Sequence, residues 1–220
     1  MQTYRITITG KTPLLMHRDD VEWADRMEEW KNDPDNKKNS KAGDDRTPAF
    51  RWLGCLYHDN NVICMPAANL ARCAMEGGAS VHVPGGKSGK TFKAQSQSGM
   101  GFMEPYSPLL IGGKPVSVEP LFALMNEPSF AKHRDAARQH GFDLHVKRAK
   151  VTTQKHIRVR PIFRDWSLVA TVAVWDEQIT HKVLTDILTY GGQYKGLGDW
   201  RPGSRTPGSY GMFNVAVEPA

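Results

Sequence analysis

Sixteen residues near the C-terminus, Gly196 to Gly211, contain five glycines and two prolines. Regular structure does not run through such a stretch, because glycine loses too much conformational freedom and proline lacks a backbone donor. A helix-like segment precedes it and a strand-like segment, Met212 to Val217, follows it. A long shaped loop is therefore expected between the last helix and the last strand. The stretch also holds Trp200, Arg201, Arg205 and Tyr210. Guanidinium groups suit phosphate, and aromatic faces suit base stacking. The backbone N–H groups around Gly196 and Gly198 are expected to form an anion-binding concavity. Together these features point toward nucleic acid. A surface loop whose glycines only make turns is the plainer alternative.

Charge agrees with the first reading. The 220 residues carry a net charge of +6, with a pI of about 9.2. Residues 1–129 hold 15 Lys and Arg against 15 Asp and Glu, whereas residues 130–210 hold 14 against 7. Positive charge concentrated in one segment favours a polyanionic partner, although a solvated basic surface gives the same count. No run approaches the roughly 18 apolar residues of a membrane span. The opening Met1-Gln-Thr-Tyr-Arg-Ile-Thr-Ile8 alternates like a strand and lacks the apolar core of a signal peptide. A cytoplasmic protein with no membrane partner is expected. Three cysteines, Cys55, Cys64 and Cys73, do not suggest a disulfide framework.

Periodicity organises the rest. Tyr4 to Thr9 alternates as a first strand. Val21 to Trp30 reads as a short helix, and the polar segment 32–46 as a mobile loop. Leu53 to His58 and Val62 to Met65 read as a hairpin turned by Asp59-Asn60-Asn61. Pro66 opens a helix over 67–76 that Gly77-Gly78 closes. Tyr106 to Ile111 and Val116 to Val118 read as short strands, and Glu127 to His140 as a helix. Lys155 to Phe163 and Trp166 to Trp175 read as a second hairpin turned at Arg164-Asp165. Asp176 then caps a helix reaching Tyr190. The order matches an α+β, ferredoxin-like (RRM-like) β-α-β-β-α-β core with a C-terminal glycine-rich loop. It is expected as one domain over 1–220, with insertions at about 17–51 and 79–155. Its helices cover one sheet face, leaving the other for single-strand binding.

Several motifs are weighed against plainer alternatives. Gly85-Gly-Lys-Ser-Gly-Lys-Thr91 imitates the end of a phosphate-binding P-loop, but Pro84 stands where its first glycine is required. A basic loop touching phosphate through Lys90 and Lys93 is the reading kept. The cysteines are nine apart, and only Cys55-x-x-His58 has zinc-like spacing, so structural thiols are favoured over a metal. No cofactor is called for. The densest basic run, His145 to Arg160, contains Lys147, Arg148, Lys155, Arg158 and Arg160. His156, Arg158 and Arg160 share one strand face and suit a phosphate track, though a charged edge strand reads the same way. His17, at the end of the first strand, is the best lone acid–base candidate, although a strand-end histidine with a local hydrogen bond is commoner.

The loop Gly196-Leu-Gly198 through Gly208-Ser-Tyr-Gly211, set between last helix and last strand, resembles that of the RAMP superfamily, the repeat-associated proteins of CRISPR effector complexes. The opening Ile6-Thr-Ile-Thr-Gly-Lys-Thr-Pro-Leu-Leu-Met-His17 and the tail Arg160-Pro-Ile-Phe-Arg-Asp-Trp166 with Gly196-Leu-Gly-Asp-Trp-Arg-Pro202 are similar to a group of small phage and prophage proteins. The resemblance implies a bacterial host cell, a RAMP-like fold, and backbone-subunit behaviour. Such a subunit binds single-stranded RNA or DNA and assembles as a homo-oligomer or filament along it. Two alternatives stay open. One is a metal-independent RAMP-like endoribonuclease using His17, His156 or Tyr210. The other is a phage-encoded protein-interaction or inhibitor module.

Overall fold

Alternation in Gln2–Gly10 places Tyr4, Ile6 and Ile8 on one side of the first strand, where all three are buried. Along the chain the computed structural model describes residues 1–38, 47–85, 89–151 and 154–220, with backbone alone at 37, 38, 149–151 and 154–156. The elements run β1 (Gln2–Gly10), β2 (Leu14–Leu15), α1 (Val21–Asn32), α2 (Pro34–Lys38), a 3-10 helix (Ala49–Cys55), β3 (His58–Asp59), β4 (Val62–Pro66), α3 (Ala67–Gly78), α4 (Lys93–Ser98), β5 (Met100–Phe102) and β6 (Tyr106–Pro108). They continue with β7 (Leu110–Ile111), β8 (Lys114–Pro115), α5 (Glu119–Phe122), α6 (Phe130–Gln139), β9 (Asp143–Val151), β10 (Gln154–Phe163), β11 (Trp166–Val174), α7 (His181–Tyr190), a π-helical turn (Gly191–Lys195) and β12 (Phe213–Pro219). The fold is mixed α and β with antiparallel sheets.

The main sheet runs β12-β1-β11-β7-β8, with β5 also pairing β11. Tyr4 faces Val172, Ile6 faces Ala170 and Val217, and Ile8 faces Leu168 and Val215 across the strands. These residues give the sheet an apolar face, and α3 and α7 contribute Leu70, Cys73, Leu184, Ile187 and Leu188 to the same core. The two helices touch through glycine: a Cβ on Gly77 would lie 2.3 Å from the Ile187 carbonyl oxygen. Gly77 and Gly78 thus belong to the last turn of α3 and serve helix contact, rather than ending the helix earlier. Among the described residues no helix is long and apolar enough to cross a membrane.

A smaller sheet, β2-β10-β9, stands beside the main one. It corrects the expected second hairpin. β10 pairs with β9 from Gln154↔Val151 to Ile162↔Asp143 and with β2 at Phe163↔Leu14, whereas β11 pairs with β1. β9 carries Asp143, His145, Lys147, Arg148 and Lys150 among its nine residues, so its polarity hid a strand from a periodicity argument. The first half of the expected strand over Leu53 to His58 is the end of the 3-10 helix, and only His58–Asp59 pairs with β4. The turn between β3 and β4 was legible: Asn60 (φ 45) and Asn61 (φ 64) take the left-handed region that asparagine tolerates. The first residues of the expected mobile loop form α2, and 39–46 lie outside the described residues. Helix α7 begins later than expected, with Thr180 rather than Asp176 as its cap.

Candidate nucleic-acid interface

Cross-strand register assembles the site. In the β9–β10 ladder Arg158 faces Lys147 and Arg160 faces His145, so all four lie on one face. The segment after the π-helical turn crosses this face. Asp199 N–H donates to the Leu15 carbonyl of β2 and Gly211 N–H to that of Pro13. The Trp200 ring is thereby set against the hairpin. Lys147 Nζ lies 3.6 Å from its centroid and the Arg160 guanidinium 5.3 Å. Tyr210 stacks at 6.4 Å and His145 meets both rings edge-on, at 6.1 and 5.8 Å. Trp200 has φ +50, a left-handed conformation costly for an aromatic residue and held by its surroundings. Its N–H donates to Asp199 Oδ1 and its carbonyl accepts from Tyr210.

The electrostatics are dominated by cations. Arg160 is almost fully buried and pairs with Asp199 at 2.5 Å. Asp199 also lies 3.8 Å from His17 Nδ1, and Asp19 lies 4.0 Å from His17 Nε2. Burial, followed by the neighbouring Arg160, holds the His17 pKa below its ordinary value despite the two carboxylates. Burial and then Lys147, Arg160 and Arg164 lower that of His145. Both imidazoles are therefore neutral near pH 7. Arg51 joins from the 3-10 helix by donating to the Ile157 carbonyl of β10. His145 Nε2 and Arg158 Nε are buried without a hydrogen-bond partner among the described residues. Beside Gly198 a cleft of about 160 Å³ is lined by His17, Tyr57, Asn69 and Arg72.

Four of the residues singled out from sequence, Lys147, Arg160, Trp200 and Tyr210, thus come together, and Arg158 shares their strand face. Arg148 lies on the opposite face of the hairpin, across from Ile157. Lys155 is in β10, its side chain outside the described residues. Lys90 and Lys93 lie before and at the start of α4, which packs on α3 and β5, elements that carry none of the cluster. Arg205 is exposed on the loop. Arg201 is a correction. It makes a two-pronged ion pair with Glu76 of α3, at 2.6 and 3.1 Å, and donates to the Lys195 carbonyl, so its guanidinium holds loop to helix.

The glycines need a second correction. Gly198 (φ +74) is glycine because a Cβ there would lie 2.3 Å from the Leu15 carbonyl oxygen. Gly196 N–H donates to the Gly191 carbonyl. The close approach expected toward phosphate is made instead toward the chain's own backbone. The cationic and aromatic cluster also lies away from the sheet face expected to bind. The main sheet's polar side carries Thr3, Arg5, Thr7 and Thr9, with Arg5 opposite Glu218, and no aromatic residue from β1. The aromatic and cationic groups sit on the smaller sheet. His145 was missed because one histidine in a basic run gives no periodic signal; His17 was noticed without its partner Asp199.

The three cysteines are free and buried, their thiols pushed up to about 11 for Cys55 and about 12 for Cys64 and Cys73 by desolvation. Among the described residues no group of three or more His, Cys, Asp or Glu is arranged to hold a metal. No known protein family matches the chain, and no curated protein matches it.

Proposed function

We propose that this protein binds single-stranded nucleic acid across the β9–β10 hairpin and the Trp200–Tyr210 segment, and assembles along the strand as RAMP backbone subunits do. The observation that carries the reading is the Trp200 ring, held in left-handed backbone beside Lys147 and Arg160 and stacked with Tyr210. Aromatic rings among cations accept bases by stacking and phosphates by charge, without requiring a sequence. The resemblance noted in the sequence and the β12-β1-β11-β5 neighbour order support a ferredoxin-like core, since that order is the fourth, first, third and second strands of a β-α-β-β-α-β unit. Fluorescence anisotropy with labelled 20-nucleotide RNA and DNA strands tests the proposal. Binding that is salt-dependent and weakened in Lys147→Ala and Trp200→Leu supports it; absence of binding at low salt ends it.

A second reading rests on His17. A neutral imidazole beside Asp199 and Arg160 is suited to moving a proton at a phosphodiester whose charge the arginine offsets. Incubating labelled RNA with the protein in excess chelator tests it. Cleavage that His17→Gln abolishes supports an endoribonuclease, and intact RNA removes that role.

A further inference from the structure

The chain holds a second recess, of about 460 Å³, between the start of α1 and the residues around β3 and α5. This is within the range of about 300–1,000 Å³ usual for small-ligand sites. Its walls include three rings: His58 meets Phe122 edge-on at 5.0 Å, and Trp23 lies 6.2 Å from Phe122. Its rim is fixed by hydrogen bonds. Asp20 caps α1, accepting from the backbone N–H groups of Glu22 and Trp23, and its other oxygen lies 2.9 Å from Arg18 Nη2. Arg18 Nη1 lies 3.1 Å from His58 Nε2. Arginine only donates, so His58 Nε2 accepts; the ring is neutral and carries its proton on Nδ1. Arg26 lies over the Trp23 ring, 5.4 Å from its centroid.

Charge narrows the ligand class. Arg18 and Arg26 are answered in the lining by Asp19, Asp20 and Glu22, so the recess does not select a bare anion. Aromatic walls with both donors and acceptors at the rim suit a planar, neutral ring with polar edges. A nucleobase has that character. A short relay of side chains links the recess to the interface. Asp19 lines it and lies 4.0 Å from His17 Nε2, and His17 lies 3.8 Å from Asp199, which precedes Trp200.

We infer that this recess receives one unstacked nucleobase, with purines favoured by its size, from a strand lying on the Trp200 interface. The inference rests on the proposed strand binding, because a lone base is the ligand only where a backbone runs past His17. An extruded base is read by stacking and by its polar edge, so this subsite adds an edge contact to the stacking that the Trp200 and Tyr210 rings offer.

Adenosine is the probe for the recess alone, titrated by calorimetry into the whole protein. An oligonucleotide with one 2-aminopurine among pyrimidines is the probe for the recess and strand together. Adenosine is expected to bind the wild type and to bind His58→Ala at least tenfold more weakly. The oligonucleotide is expected to bind both proteins, three- to tenfold less tightly to the variant, with 2-aminopurine fluorescence changed by the wild type alone. Arg26→Ala, at an exposed position, provides the same comparison if His58→Ala melts early. Strand binding without adenosine binding, or adenosine binding equal in wild type and both variants, overturns the base pocket while leaving the interface intact. Adenosine binding with no strand binding overturns the interface and the strand-borne base together.

Discussion

Arg160 Nη1 lies 2.5 Å from Asp199 Oδ2, with the arginine side chain 7% exposed, so one ion pair joins β10 to the glycine-rich segment. Removing the arginine leaves the partly exposed Asp199 carboxylate without its partner, at a cost of about 1–3 kcal/mol. Arg160→Ala is therefore expected to lower stability by that order, whereas Arg160→Met with Asp199→Leu recovers much of it. Urea denaturation of the single and double variants checks this. A single variant as stable as wild type overturns the pairing. Arg160→Ala is consequently a poor probe of binding.

Lys147 is the cleaner probe, because it is exposed while its ammonium lies against the Trp200 ring. Lys147→Ala is expected to change stability by less than about 0.5 kcal/mol, as surface substitutions do. Its affinity for single strands should fall severalfold, and the slope of log affinity against log salt should decrease by about 0.7 for one lost phosphate contact. Anisotropy titrations at four salt concentrations measure both. An unchanged slope removes Lys147 from the phosphate track.

Gly198→Val combines a clash at Leu15 with positive φ. Backbone strain alone costs about 1–3 kcal/mol. A lowered urea midpoint is expected, with binding lost in proportion to unfolded protein. A fully folded, equally stable variant that loses binding would restore the phosphate-contact reading of this glycine.

Glu76 shows a pH dependence whose sign is set by Arg201 and Arg72. Burial works to raise its pKa, but hydrogen bonds and attraction from the two arginines outweigh it and leave the value below the ordinary 4.5. The pair's stabilisation is present above pH 4.5 and is lost as pH falls through the lower, folded value. Glu76→Gln should be less stable than wild type at pH 7, and the gap should close toward pH 3. Thermal melts across that range decide; a constant gap excludes the ion pair as its source.

The histidines act at higher pH. His17 and His145 both titrate below 6.5 in the fold, so the unfolded chain binds more protons as pH falls through 6.5. Stability should decrease from pH 7.5 to 5.5. In His145→Gln that decrease should be smaller. Equal slopes in wild type and variant would assign the dependence elsewhere.

The alternation of Tyr4 to Thr9 and of Trp166 to Val174 made both strands legible, because each buries one face. The partner of β10 was not legible. Lys155 to Phe163 and Trp166 to Trp175 are adjacent with a turn-like Arg164-Asp165 between them, which favours a hairpin locally. The real partner of β10 is β9, whose Lys147 lies on the face that carries Arg158 and Arg160. Residue type alone singles out Lys147, Arg160, Trp200 and Tyr210, which the fold brings together. Arg201 was misread because its partner, Glu76, is 125 positions away. Distant ion pairs leave no local pattern.

The bonds from Asp199 to Leu15 and from Gly211 to Pro13 tie the segment carrying Trp200 and Tyr210 down at both ends. The two rings are consequently positioned by the fold itself. Folding has already restricted the two rings, so association of the proposed kind would have chiefly the incoming chain left to immobilise. In the proposed complex the protein would meet the strand as an anvil meets a wire: one partner would keep its shape and the other would take it.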